Sequence, residues 1–477
     1  MGGGCGPDDE ALLKFRVPGK VTCMNDGTHM TNRHLAALAL AAALGAMFAA
    51  TPVRAEDLMQ IYREAVANDP AIASAQANWQ ATQESVPQAR AGLLPAAAAT
   101  GGVSRQQYDA TVNTDPKSDV AHGYTQYNAL VSASQPLFRY QNIVALDQAK
   151  QQVAQSNDVL ESARQDLILR VAQAYFDVLL AQFNVELADS QKKAVVESLA
   201  QAKRNFEVGV ATITDTNEAQ AKYDQIVAQE IATRNDLDNK VTALRAIIGR
   251  FPKELKRVGP GFKPVPPDPD NLQYWVDRSR TDNLNVKVSE KNYDIATLQI
   301  DKAKAGHYPT LDLVASYGYV NSAGASASLG FTNSSTQGII GVNVAVPIYQ
   351  GGFVDSQVRQ AIALQDKARQ DLEFARRTAF TLAQTGYTGV VSAVASVKAF
   401  EQAVLSAESA YQSNVLGQEV GVRTFLDVLT VQQNVYSTRR DLAQAYFNYL
   451  IGWLRLKSAV GTLTDTDVEE VNRQLRG

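Results

Sequence analysis

The chain has little that could perform covalent chemistry. Its 477 residues hold two cysteines and four histidines. Both cysteines, Cys5 and Cys23, precede the cleavage site argued below, so the exported part is expected to carry no thiol, disulfide or thiolate metal site. Of the histidines, only His122 and His307 follow that site, and they lie in different halves. No nucleophile elbow, phosphate-binding loop or metal-ligand cluster is present, so an enzyme and a resident cofactor are not expected. Charge of one sign is also missing: 45 Lys and Arg face 49 Asp and Glu, a net −4, which leaves no nucleic-acid footprint. The body of the chain lacks a run of 18 or more apolar residues, which argues against a spanning helix.

The N-terminus reads as an export signal. Arg33 and His34 form a short basic start, Leu35 to Ala50 is apolar, and Val53-Arg54-Ala55 follows Pro52 with small residues at the positions a signal peptidase reads. Residues 1–55 are therefore read as upstream extension and signal peptide. The mature chain then begins near Glu56, and either Met1 or Met30 is the start.

What remains is written twice. Leu94-Pro95 recurs as Tyr308-Pro309, Gln135-Pro136 as Val346-Pro347, Val208-Gly209-Val210 as Val420-Gly421-Val422, and Ile247-Ile248-Gly249 as Ala459-Val460-Gly461. The offsets are 214, 211, 212 and 212 residues. Such a long, constant period indicates duplication of one subdomain rather than a solenoid. The reading is a first repeat at 56–258, a Pro-rich linker at 259–270, a second repeat at 271–463 and a C-terminal tail at 464–477.

Each repeat is expected to run helix, two strands, long helix, glycine turn, helix. The first helices are placed at Leu58–Gly92 and Leu272–Gly306, the long ones at Gln141–Glu207 and Gly352–Val420. At 1.5 Å per residue each long helix spans about 100 Å, which suggests a coiled coil. The apolar seam supports this. It steps by three and four through Leu160, Ala163, Leu167, Val171, Ala174, Val178 and Ala181 to Phe206, with a skip over Lys192. The same register returns 212 residues later, from Leu372 to Tyr411, with Gln418 in the last place. Much of it is alanine, which lets helices approach closely. A soluble helical bundle would show the same seam.

The segments between the prolines alternate with period two. Leu311, Leu313, Ala315, Tyr317 and Tyr319 interleave with Asp312, Ser316 and Gly318. Ile340, Val342, Val344 and Val346 interleave with Gly341, Asn343 and Ala345. Apolar residues on one face, with small or polar ones on the other, are the pattern of a transmembrane barrel strand of about 9–11 residues. A soluble hairpin packed on a helix is the other reading. The first-half strands, rich in Ala and Gly, carry a weaker signal. Tyr108, Tyr124, Tyr127, Phe138, Tyr140, Tyr308, Phe331 and Tyr349 fall near strand ends, where aromatic belts sit. Four strands cannot close a barrel, and an open edge in lipid leaves backbone groups without partners. Several chains must then share one barrel; two give eight strands and three give twelve.

Over about Asp57 to Leu463 the chain resembles the TolC family, the outer-membrane factors of tripartite efflux and type I secretion systems. The resemblance is carried by FEVGVATITD at 206–215, GVRTFLDVL at 421–429, TLDLVAS at 310–316, VPIYQGG at 346–352 and FNYL at 447–450. It implies a mixed α and β membrane protein. Three chains form a twelve-strand barrel in the outer membrane, four strands from each, continued by a coiled-coil periplasmic tunnel. The implied function is a passive exit duct for drugs or polypeptides. The implied partners are a homotrimer, a periplasmic adaptor, an inner-membrane transporter and outer-membrane lipid. A trimeric coiled-coil surface protein without a pore would also carry a signal peptide and heptads, but not the duplicated unit with matching tips.

The functional residues are expected where the long helices reverse. Gly209 and Gly421 fit helix C-caps, and the resemblance implies that an adaptor docks on Val208, Gly209, Val210, Val420, Gly421 and Val422. Asp215 and Asp427 lie six residues past each glycine. They are either helix-start carboxylates or, in a symmetric oligomer, an acidic ring at the mouth. The family has a second aspartate one turn beyond Asp427, where this chain has Thr430, which implies a thinner ring. Arg423, Thr214 and Asp215 match the family's entrance links, and Gln418 stands where the family has tyrosine.

Overall fold

The computed structural model describes residues 55–112, 118–259, 262–323 and 334–476. The signal-peptide reading of residues 1–54 and the belt position Phe331 lie outside the described residues, as do the side chains of Tyr108 and His122.

The chain enters through three short helices, α1 (Leu58–Asn68), α2 (Pro70–Gln83) and α3 (Ser85–Ala91). Strands β1 (Ala96–Val112) and β2 (Ser118–Phe138) follow. Then come α4 (Tyr140–Glu207), α5 (Ile213–Ile248) and the short strand β3 (Arg257–Val258). The second half runs α6 (Leu272–Asp282), α7 (Leu284–Lys304), β4 (Thr310–Ala323), β5 (Ser334–Ala345), α8 (Phe353–Glu419) and α9 (Phe425–Val460). It ends with α10 (Asp465–Arg473) and β6 (Leu475–Arg476), which pairs antiparallel with β3.

The long helices match expectation to within a residue at either end. The first helix of each half does not: each is broken, because the apolar spacing continues across a residue that caps a new helix. Asp69 precedes Pro70 and accepts from the Ala71 amide, and Asn283 accepts from the Asn285 and Val286 amides. Each side chain thus satisfies N–H groups that a helix start leaves without partners. Asp69 is buried and held by Arg170 at 2.6 Å; Asn283 donates to the Ala459 carbonyl at 2.7 Å.

The four long strands form one antiparallel sheet in the order β1-β2-β4-β5. The Ala-rich β1 and β2 are the longest strands, with 17 and 21 residues. Their weak propensity is overridden by continuous cross-strand pairing. The register puts Val103 opposite Tyr127. Val131 stands beside Tyr317, Leu313 beside Val342, and Ala315 beside Ile340, all on one face. That face is open, with Ile340 84% exposed. The other face carries Ser132, Ser134, Ser316, Gly318, Asn343 and the buried Asp312. Asp312 is gripped in bidentate fashion by Arg139, at 2.8 and 2.7 Å, where β2 hands over to α4. At the same end of the sheet the Tyr140 and Tyr308 rings pack at a tilt of 55° with centroids 5.3 Å apart, and Tyr349 is exposed.

The main core lies away from the sheet, where α1, α2, α4, α5, α6, α8, α9 and α10 meet. Tyr175, Phe176, Leu244, Ile248, Leu454, Leu456 and Leu463 are fully buried there. Tyr175 donates to the Lys256 carbonyl at 2.8 Å. Along the seam, Leu160, Leu167, Val171, Val178, Ala181, Ala188, Val195, Leu199 and Ala202 are buried, as are Leu372, Ala379, Ala383, Val390, Val397 and Ala407. Phe206, the last residue assigned to the first seam, is exposed. The skip at Lys192 is an ion pair: its ammonium lies 2.6 Å from the buried Glu230, which Arg234 also holds at 2.7 Å.

Gly249 and Gly461 end α5 and α9 in the left-handed region, with φ of 81° and 78°. A Cβ on Gly461 would sit 2.3 Å from the Asp282 carbonyl oxygen, whereas one on Gly249 would meet nothing closer than 3.7 Å. Gly249→Ala should therefore cost about 1 kcal/mol through backbone strain alone, and Gly461→Ala about 3 kcal/mol or more. Thermal unfolding of the two purified variants checks this. Equal losses would mean that the close approach at Gly461 does not exist.

The two hairpin tips as candidate functional site

α4 and α5 form one helical hairpin, and α8 and α9 the other. Each reverses through a five-residue turn, Val208–Thr212 and Val420–Thr424, and the two turns are built alike. In the first, Gly209 has φ 79°; its N–H donates to the Phe206 carbonyl at 3.0 Å, and Val210 donates to Asn205 at 2.9 Å. In the second, Gly421 has φ 77°; its N–H donates to Gln418 at 3.0 Å, and Val422 donates to Gly417 at 2.9 Å. This is the Schellman closure, in which a left-handed residue turns the chain so that the last carbonyls find partners. A Cβ on either glycine would meet nothing within 4 Å. The glycines are therefore required by their backbone angle and not by crowding.

The next helix starts at once. Thr212 caps α5 and Thr424 caps α9, each in a reciprocal box with the aspartate three residues on. The Thr212 amide donates to Asp215 Oδ2 at 2.9 Å, and the Thr424 amide donates to Asp427 Oδ2 at 2.9 Å. Both aspartates thus take the helix-start role. Among the described residues, Oδ1 of each accepts no hydrogen bond. Hydrogen bonds from Thr424, and after them the charge of Arg423, hold the Asp427 carboxyl below the usual carboxylate range.

The other expected entrance residues are placed as follows. Arg423 is exposed; its stem packs over Gly417, so closely that a Cβ there would lie 2.8 Å from Arg423 Cγ. Thr214 is exposed and Gln418 is half-buried. Among the described residues, no hydrogen bond joins Gln418 to Asp215. Thr430 donates its hydroxyl to the Leu426 carbonyl of its own helix at 2.8 Å. Val208, Val210, Val420 and Val422 are all strongly exposed, so each tip is a small apolar knob around a glycine.

Sequence reasoning missed three features here. Thr212 and Thr424 were legible as Thr-x-x-Asp boxes. Gly417 had no signal of its own. The link between the hairpins, Lys222 Nζ to Gln433 Oε1 at 3.0 Å, had none either.

The chain matches the family model described as outer membrane efflux protein over residues 61–250 and 275–462. It is 34% identical over 444 residues to outer membrane protein TolC of Vibrio cholerae, covering 93% of this chain and 99% of that one. It is 30% identical over 420 residues to the alkaline protease secretion protein AprF of Pseudomonas aeruginosa, covering 87% and 86%. Among solved structures, the outer membrane protein VceC of Vibrio cholerae aligns with a TM-score of 0.70 at 19% identity, covering 85% of this chain and 96% of that one. The CmeC outer membrane channel of Campylobacter jejuni aligns at 0.72 and 16% identity, covering 88% and 90%. With a family match across both halves, and long helices and a four-strand sheet shared with solved outer-membrane channels, this chain belongs to the outer membrane efflux protein family and is an exit duct of the outer membrane, not an enzyme.

Proposed function

We propose that three copies of this chain share one twelve-strand barrel in the outer membrane and continue inward as a coiled-coil tunnel across the periplasm. The observation that carries this reading is a four-strand sheet with an open apolar face and, among the described residues, no partner on the outer edges of β1 and β5. Hydrocarbon offers those edges no hydrogen bonds, so further copies must supply them, and the proposed number of copies is three. Helix α8 adds support. Its most apolar 18-residue stretch is only 17% buried within one chain, as fits a helix covered by neighbouring copies. Paired features at matching positions, Asp69 with Asn283, Gly209 with Gly421 and Gly249 with Gly461, support descent of 56–258 and 271–463 from one duplicated unit joined at 259–270.

In this reading residues 1–55 are removed on export, and the tips face the inner membrane. The knobs of Val208, Gly209, Val210, Val420, Gly421 and Val422 receive a periplasmic adaptor, which joins the duct to an inner-membrane transporter. Drugs or polypeptides selected by that transporter pass through passively. Asp427 and Asp215 ring the mouth: their capping bonds engage Oδ2 and leave Oδ1 toward the lumen. Thr430 spends its hydroxyl on its own helix and adds no charge. Arg423, with Thr214, Asp215 and Gln418, holds neighbouring hairpins closed.

Single-channel conductance in planar bilayers is expected to be small, steady and cation-selective, with block by a trivalent cation from the tip side. Arg423→Ala should raise conductance several-fold and Asp215→Ala less. A rise with Asp215→Ala and none with Arg423→Ala would contradict this order.

Cation selectivity should also depend on pH with a definite sign. Bonds that favour ionised Asp427 lower its pKa, so its charge persists above that value and is lost only as pH falls through it. In an Asp215→Asn background, selectivity should survive below about pH 3.9, the ordinary aspartate value. Thr424→Val should move the loss to higher pH, read from reversal potentials across a pH series. Separately, Val210→Asp with Val422→Asp should abolish adaptor capture while leaving conductance unchanged.

A further inference from the structure

The four long strands hold one Lys or Arg side chain between them, Arg105 on β1. Outward from the helix end of the sheet, the open face carries Leu311, Leu313, Ala315, Tyr317 and Tyr319 on β4, with Val344, Val342 and Ile340 beside the first three on β5. From Leu311 to Tyr319 is about 27 Å along the strand, or about 20 Å of height at a barrel's usual tilt, near the height of a lipid-facing apolar band. On β1 and β2 the same face runs through Ala99 beside Val131, Gly101 beside Ala129 and Val103 beside Tyr127. The next place outward is Arg105, directly opposite Thr125. Its diagonal neighbours on β2 are Tyr127 on the inward side and Gly123 on the outward side. Arg105 is exposed and its guanidinium reaches outward: a Cβ on Gly123 would lie 3.8 Å from Nη2. On the opposite face at this point Gln106, Gln126 and Tyr124 bond to one another, at 2.8 and 2.6 Å.

No carboxylate answers this cation. Among the described residues Arg105 forms no ion pair. Asp312 is held by Arg139 on the other face. Asp109 stands four residues farther out on β1, about 13 Å along the strand, and Asp119 is in register with Thr111, farther still. Residues 313–354 include the β5 edge that a neighbouring copy would bring against β1, and they contain no Asp or Glu. A charge on a lipid-facing strand costs most at mid-membrane and little at the interface, and a long side chain carries its charged end to the headgroups. We propose that Arg105, with Thr125 and Tyr127 beside it, is a binding site for the phosphate of an outer-leaflet glycolipid, one site in each copy. This rests on the reading of the open face as the lipid face and of the strand ends away from the helices as the outer side. The guanidinium fork matches two phosphate oxygens, and the Thr125 hydroxyl is a third donor directly across the ladder. Gly123 leaves the outward side flat, so a headgroup reaches the guanidinium without meeting a side chain. The acyl chains then run inward over Tyr127, Val103 and Val131.

The test is native mass spectrometry of the full-length oligomer in neutral detergent, titrated with a diphosphorylated glycolipid and with its dephosphorylated form. The phosphorylated form should bind the wild type more tightly. Arg105→Gln should weaken that binding about tenfold, the scale of one charge-assisted contact, and Arg105→Lys should keep most of it. Gly123→Val should weaken it with Arg105 intact, by crowding the outward side. Thermal unfolding of Arg105→Gln in the same detergent should match the wild type, which separates lost binding from lost fold. Equal binding of the two glycolipids, or undiminished binding by Arg105→Gln, would overturn the site. Displacement by inorganic phosphate at equal concentration would make it a site for free phosphate and overturn the glycolipid assignment. The reading beneath the proposal has its own arm, the fluorescence of Ile340→Trp in vesicles of brominated lipids. Quenching there upholds the lipid face whatever Arg105 binds, and its absence would sink the membrane reading itself.

Discussion

A strand edge cannot stand bare in hydrocarbon, and the rest of this molecule follows from that constraint. The sheet has four strands in the order β1-β2-β4-β5, so its two edges belong to strands at opposite ends of the chain's double pattern. The central pair, β2 and β4, is what joins the two halves in the sheet. At one end of the sheet each strand connects to a helix: α3 precedes β1, α4 follows β2, α7 precedes β4 and α8 follows β5. In the proposed barrel, the number of copies therefore also sets the number of helices that continue it. The bidentate Arg139–Asp312 pair fixes this handover where the backbone changes from strand to helix.

Below the sheet the demands change. Helices in a wall need close approach over a long distance, and a seam of Ala, Val and Leu gives it. At the far end the chain must reverse twice beside only a small apolar cluster. The same sequence solution appears both times: a Schellman glycine, an exposed valine on each side, and a Thr-x-x-Asp capping box. Capping consumes one carboxylate oxygen of Asp215 and of Asp427 and leaves the other. In the proposed duct, helix initiation and a charged mouth are therefore compatible in one residue.

Much of this was legible in the sequence. The long helices, the strand alternation and the tips were placed correctly, because glycine, proline and apolar period each answer to a local rule. The breaks at Asp69 and Asn283 were not seen. The apolar spacing runs through them, and only the capping geometry shows that the helix restarts. Phe206 was assigned to the seam by spacing but is exposed, since it lies in the last turn of the helix, which ends at Glu207. Lys222 and Gln433 carry no shared pattern. Two polar side chains 211 residues apart become partners only when both hairpins are packed. The pairing of β3 with β6 was unreadable for the same reason, as two residues on each side make no periodicity.

The central claim is that copies of this chain complete one another's sheet. The most direct measurement is the protein mass of the purified detergent complex by light scattering. Three chains per complex, with no four-stranded monomer in equilibrium, is the predicted result. A stable, folded monomer in detergent would contradict it, because four strands alone would then tolerate bare edges in an apolar solvent.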